Sequence, residues 1–150
     1  MRLYLDVCCL NRPFDDQTQD RIRLEAEAVT IILGHLETKE WEWVGSDAVT
    51  LEIAQTADEE RRRRTQLLAA HMHETIRTDS GAFARAQELV QLGFQPVDAL
   101  HLACAERGVV DIFLTTDDRL LRLANRTATQ IQIQVANPLA WLAKALDNDS

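Results

Sequence analysis

Apolar residues along the chain fall into two rhythms that alternate from one end to the other. Leu3, Leu5 and Val7 alternate with Tyr4 and Asp6, a period of two that predicts a first β-strand ending near Asp6. From Asp20 to Glu37 the spacing changes: Ile22, Ala26, Val29, Ile32, Leu33 and Leu36 recur at helical intervals. Between them, residues 8–19 contain Asn11-Arg12-Pro13 and Asp15-Asp16, turn formers that read as a loop. A second short strand is expected over 41–45. A helix follows, capped by Ser46 and Asp47 and carrying Ala48, Leu51, Glu52 and Ala54. Next come a helix over 59–74, a weak strand over 75–78, and a helix capped by Asp79 or Ser80 that runs to Leu92.

The most informative stretch is 93–121. Pro96 suits a first helical turn and Gly108 a stop beyond the last, with Val97, Leu100, Ala103 and Cys104 at helical spacing between them. Asp111 to Thr115 is short, apolar and bounded, as a buried strand should be. It opens into Thr115-Thr116-Asp117-Asp118, after which Leu120, Leu121 and Ala124 begin another helix. A strand over 131–135 and a helix entered at Pro138 close the chain. This alternation, without repeat or linker, predicts one α/β domain over residues 1–150, with a mostly parallel sheet and helices on both faces.

Composition changes this picture little. With 46% hydrophobic and 27% charged residues, no membrane-length apolar run and no signal-peptide layout, the expectation is a cytoplasmic protein that crosses no membrane. Three cysteines, an odd count without a C-x-x-C pair, read as small buried apolar residues. The net charge of −8 argues against holding nucleic acid by broad electrostatics, although a cation among converging acids would offset it locally. The run Arg61–Arg64 covers nearly every face of its helix and reads as mostly solvated, with Glu60 and Arg64 paired.

The acids carry the chemistry. Taken singly, Asp98 suits a helix start, Asp117 or Asp118 a helix cap, and Glu52 a solvated face. Asp6 resists such an explanation, because no helix is expected directly after it. Taken together, they fall at strand ends or in the adjoining helices, where an open α/β sheet places its ligand crevice. Carboxylates brought that close raise one another's pKa unless a cation lies between them. Oxygen donors without a matching Cys or His set suit Mg²⁺ or Mn²⁺, the usual apparatus of phosphodiester hydrolysis. Asp117 sits at the turn, whereas Asp118 is one position into the helix and rotated by about 100°. Asp117 is therefore the preferred site residue and Asp118 the reserve. Asn11 is near enough to Asp6 to support it. His101, three residues beyond Asp98, either bonds that acid or packs into the core, and packing is favoured. His71 and His73 read as surface or packing residues.

At Leu5-Asp6, Ser46 followed by Glu52, Asp98-Ala-Leu-His-Leu-Ala103, Thr115-Thr-Asp117 and Asn137-Pro-Leu, the chain resembles the PIN-domain ribonucleases, in particular toxins of the VapC type. The resemblance spans essentially the whole length. It implies a three-layer α/β/α fold with a five-stranded sheet, Mg²⁺- or Mn²⁺-dependent cleavage of RNA, frequent homodimers and inhibition by an antitoxin protein. By position it places the acidic site on Asp6, Glu52, Asp98 and Asp117, with Thr115 supporting the metal site. A phosphatase with an aspartyl nucleophile would want an acid two residues after Asp6, where Cys8 stands. A dinucleotide-binding enzyme would want a glycine-rich turn there, and a metal-independent ribonuclease a histidine pair. A catalytically inactive PIN-like module that binds RNA or protein is the non-enzymatic alternative, and retention of every acid argues against it.

Overall fold

In the computed structural model, which describes residues 1–148, the first strand lies at the centre of the sheet. Strand β1 (Arg2–Leu5) buries Leu3, Tyr4 and Leu5 to 1% exposure or less, so both of its faces are covered. That is the environment of a central parallel strand, and Tyr4 turns into a second apolar layer, stacked 5.1 Å from the Phe113 ring. Around β1 are β2 (Glu42–Ser46), β3 (Glu74–Ile76), β4 (Ile112–Leu114) and β5 (Gln134–Ala136), in the order β3-β2-β1-β4-β5. Every pairing is parallel, so the five-stranded sheet is wholly rather than mostly parallel.

Eight α-helices occupy the described residues: α1 (Val7–Asn11), α2 (Asp20–Glu37), α3 (Asp47–Ala54), α4 (Glu59–Ala69), α5 (Ser80–Gln91), α6 (Pro96–Arg107), α7 (Asp118–Arg126) and α8 (Pro138–Asn148). The crossovers between parallel strands put helices on both faces, giving three layers, with α2 packed on α8 and α5 packed on α6. Among the described residues no helix is long and apolar enough to cross a membrane.

Several expected boundaries move, each for a local reason. The expected loop over 8–19 begins instead with helix α1 and a 3-10 turn, Arg12–Phe14, because Val7, Cys9 and Leu10 bury one side of that short helix. Helix α4 ends at Ala69, not at 74, and β3 begins at Glu74, where the backbone pairs with Val44. The last strand starts three residues later than expected. Thr127 first closes a turn onto Gln130 and Ile131, and Ile131 is buried as a core residue rather than a strand residue. Gly108 does end α6, but the positive φ of the stop (51°) falls on Val109. Gly108 is required by space: a Cβ there would lie 2.9 Å from Val44 Cγ1. The arginine run is also less solvated than expected. Arg61 donates to Asp15 Oδ1 (2.7 Å) and to the Phe14 carbonyl, and only Arg63 and Arg64 share Glu60.

From β1 the chain steps to β2 and β3 on one side and then returns to β4 on the other. That reversal makes a crevice beyond the carboxyl ends of β1 and β4. Leu5 is paired with Leu114, and the Asp6 N–H donates to the Leu114 carbonyl at 2.9 Å. Asp6 and Thr115 therefore leave the sheet side by side.

The segments bordering this crevice are clamped by Glu25, an α2 residue with 1% exposure. Its carboxylate accepts from Arg12 Nε (2.9 Å), Arg21 Nε (3.2 Å) and Asn137 Nδ2 (2.6 Å). Arg21 continues to Asp118 through two 2.7 Å bonds and to the Thr116 carbonyl. A buried carboxylate with three donors is stable only while they remain. Replacing Glu25 by Ala removes the acceptor shared by Arg12, Arg21 and Asn137, and urea unfolding should report a loss of about 1–3 kcal/mol. A loss no larger than that of an average exposed substitution would contradict the clamp.

Candidate active site

Asp6 occupies the N-cap of α1, so the helix missed in the sequence supplies the role that this acid lacked. Its Oδ1 accepts from the Val7 N–H (2.9 Å), and its Oδ2 accepts from the Thr115 hydroxyl (2.8 Å) and the Cys8 thiol (3.5 Å). Only 6% of Asp6 is exposed. The Thr115 oxygen also accepts from the Asp117 N–H at 3.2 Å, so one hydroxyl links the ends of β1 and β4. Cys8 is half-buried and faces this polar group, whereas Cys9 and Cys104 are the buried apolar residues expected.

Asp117 caps α7, with Oδ1 accepting from the Arg119 N–H (2.9 Å) and the Leu120 N–H (3.3 Å). Asp118 stands one turn position away, exposed and paired with Arg21, which holds its carboxyl below the usual carboxylate range. Asp98 is half-buried in the first turn of α6. Glu52 projects from α3, and its Oε1 lies 2.8 Å from His101 Nε2. His101 is fully buried, as favoured, but it bonds Glu52 rather than Asp98, and its other nitrogen lies 2.7 Å from the Tyr4 hydroxyl. Asp6, Glu52 and His101 each offer one donor atom within 4.8 Å of the others.

Electrostatics join the remaining acids to this group. Burial pushes the Asp98 carboxyl up to about 6, reinforced by the charges of Asp6 and Asp117 and, more weakly, of Glu52; His101 opposes the shift. Burial likewise raises Asp6, against the pull of His101, Thr115 and Cys8. For His101 burial acts downward, but the Glu52 bond and the charges of Asp6, Glu52 and Asp98 outweigh it and raise the imidazole. Four carboxylates thus share one electrostatic neighbourhood, and burial together with neighbouring charge raises two of them, Asp98 and Asp6. An oxygen-rich set with unfavourable charge suits a hard divalent cation, which takes carboxylate oxygens and cancels their repulsion.

Asn11, expected to support Asp6, stands apart from it. Asn11 makes no bond to Asp6. Its buried Oδ1 has no partner among the described residues, while its carbonyl accepts from Arg61. His71 lines a small cavity beside α2, and His73 continues the β2–β3 edge by accepting from the Trp43 N–H. Sequence reasoning did not single out Tyr4, Ser46 or Cys8 as neighbours of the acids. Tyr4 carried a usable signal, since it precedes Asp6 by two at the end of β1.

The model of the PIN domain family matches residues 3–126. Among solved structures, a chain of VapBC2 from Rickettsia felis, bound to a DNA fragment from its promoter, is similar with a TM-score of 0.59 and 16% identity. The match covers 91% of this chain and 98% of that one. A chain of FitAcB from Neisseria gonorrhoeae is similar with a TM-score of 0.60 and 16% identity, over 91% and 97% of the two chains. At that identity the likeness is one of fold. No curated protein sequence matches the chain.

The raised Asp98 pKa has a definite sign for stability. The folded value of about 6 lies above an unfolded value of about 3.9, so the folded state binds more protons between them. The contribution of Asp98 is full at low pH and lost as pH rises through about 6. In chelator, Asp98→Asn should therefore be more stable than the unaltered chain at pH 7, by roughly 1–2 kcal/mol after allowance for solvent screening. The advantage should shrink towards pH 4. Melting curves across that range check it, and a variant less stable at pH 7 would be the contrary result.

Proposed function

The chain belongs to the PIN domain family, and from that premise we propose that it is a divalent-metal-dependent endoribonuclease, the toxin of a toxin–antitoxin pair. The observation that supports the reading is at Asp98, which burial raises most and the charges of Asp6, Asp117 and Glu52 raise further, so that these four acids bear on one crevice. On this reading the four carboxylates hold Mg²⁺ or Mn²⁺. The bound cation would lower the pKa of a water and neutralise charge on the phosphate oxygens.

The chain's own residues shape that site. The Thr115 hydroxyl and the Val7 N–H engage both oxygens of Asp6 and fix its plane. His101 fixes Glu52 through one oxygen. Asp117 commits Oδ1 to the start of α7, which sets the direction of its second oxygen. Thr115 ties Asp6 to the Asp117 backbone, so the ends of β1 and β4 keep their spacing when charge is added or removed. Asp118 is spent on Arg21 and steadies the start of α7.

A phosphodiester suits this site, because an acidic pocket takes a polyanion through an intervening cation, and the resemblance to PIN-domain ribonucleases points to RNA. The same negative charge, on a chain of net charge −8, suits a basic antitoxin segment as a competitive plug. The fold likeness to chains of VapBC2 and FitAcB supports an antitoxin partner. Homodimers and a cytoplasmic site of action belong to the same proposal.

Purified chain should cut RNA with Mg²⁺ or Mn²⁺ and stop in EDTA. Asp117→Asn should lose at least about 100-fold in cleavage rate, whereas Asp118→Asn should keep activity within about fivefold. Full activity in chelator would refute the proposal, and the opposite ranking of the two variants would move the site by one residue.

A further inference from the structure

A closed chain of hydrogen bonds runs through the core behind Glu52. The Val49 N–H donates to Ser46 Oγ at 3.4 Å. Ser46 Oγ lies 2.6 Å from the Tyr4 hydroxyl, which lies 2.7 Å from His101 Nδ1. His101 Nε2 then meets Glu52 Oε1 at 2.8 Å. Val49, Ser46 and Glu52 all belong to α3 or its cap, Tyr4 to β1 and His101 to α6. Ser46, Tyr4 and His101 are each 0% exposed, so water does not replace a partner that is lost.

The direction of this chain follows from its ends. A backbone N–H only donates, and an ionised carboxylate only accepts. With a neutral imidazole, one arrangement satisfies both: Ser46 donates to Tyr4, Tyr4 donates to Nδ1, and Nε2 carries its hydrogen towards Glu52. The other tautomer would set a bare nitrogen lone pair against a carboxylate oxygen 2.8 Å away. An imidazolium also keeps a hydrogen on Nε2. In either form compatible with ionised Glu52, the nitrogen that faces the acids is occupied.

Resting on the metal-dependent reading above, we propose that His101 is a positioning residue for Glu52 and not a cation ligand. It stands within 4.8 Å of the Asp6 and Glu52 donor atoms, yet a cation on Nε2 would have to displace the bond that orients Glu52. Held by Oε1 alone, Glu52 keeps its second oxygen for the cation. Partners behind a ligand fix its orientation and typically govern affinity almost as strongly as the ligand itself. The hydroxyl of Ser46, which also caps α3, thereby couples the start of that helix to the acid one and a half turns later.

The experiment combines Mn²⁺ calorimetry with ¹⁵N NMR of the histidine rings in metal-free protein, at a pH high enough to keep imidazoles neutral. The unaltered chain should show the Nε2–H tautomer at His101. Tyr4→Phe and His101→Leu should each weaken Mn²⁺ binding about tenfold or more, while His101→Gln, whose amide N–H can stand in for Nε2–H, should bind within about threefold of the unaltered chain. An Nδ1–H tautomer, undiminished binding by Tyr4→Phe and His101→Leu, or a glutamine variant as weak as leucine would each overturn the positioning role. If His101→Leu does not fold, Tyr4→Phe and the tautomer decide. An unaltered chain that binds no Mn²⁺ overturns the metal-dependent reading and this inference together, whereas intact binding with unimpaired variants overturns this inference alone.

Discussion

The structure depends on a conflict between burial and charge at the mouth of its central strand. β1 is covered on both faces, so the first residue to leave it, Asp6, arrives in a nearly dry place with 6% exposure. A carboxylate there needs donors, and the fold provides them from the start of α1 and from Thr115 at the end of β4. These contacts satisfy Asp6 but leave it in the field of Glu52, whose charge adds to the effect of burial in raising it, while Asp98 is raised by burial and by the charges of Asp6, Asp117 and Glu52. A fold selected for stability alone has an easier solution in apolar or neutral residues. That the conflict is kept, and framed by so many donors, is what supports the proposal of a cation site in this crevice.

The framing works at two distances. Close to the acids, Thr115 and His101 each hold one carboxylate by a single oxygen. Farther out, Glu25 gathers Arg12, Arg21 and Asn137, so that the 3-10 turn, α2, the start of α7 and the entry to α8 are tied to one buried group. Arg21 extends this tie to Asp118, directly after the Asp117 cap of α7. Much of the chain's arginine is thus spent on internal carboxylates and carbonyls, which leaves the crevice acidic.

The sequence made the architecture legible because its evidence is periodic. The helical spacing over 20–37 and the bounded apolar run at 111–115 mark elements that depend mainly on which residues are buried. The short elements were less legible. Helix α1 has only five residues, too few to display a period, and its absence left Asp6 without its capping role. The strand at 134–136 was displaced because Ile131, apolar and β-branched, is consumed by the turn after α7. His101 illustrates the other limit. Its burial follows from the helix pattern, but its partners come from β1 and α3, and contacts across such sequence separations leave no local trace. The preference for Asp117 over Asp118 turned on one residue of helix phase, and the structure gives the two acids different partners, the start of α7 for Asp117 and Arg21 for Asp118.

The central claim is that the four carboxylates form one cation site at the crevice between β1 and β4. Anomalous diffraction from crystals soaked in Mn²⁺ tests it most directly. The account predicts manganese peaks coordinated by oxygens of Asp6, Glu52, Asp98 and Asp117, with His101 Nε2 still bonded to Glu52 and outside the coordination sphere. Peaks elsewhere on the surface with the crevice empty, or manganese bound through His101 in place of the carboxylates, would contradict it.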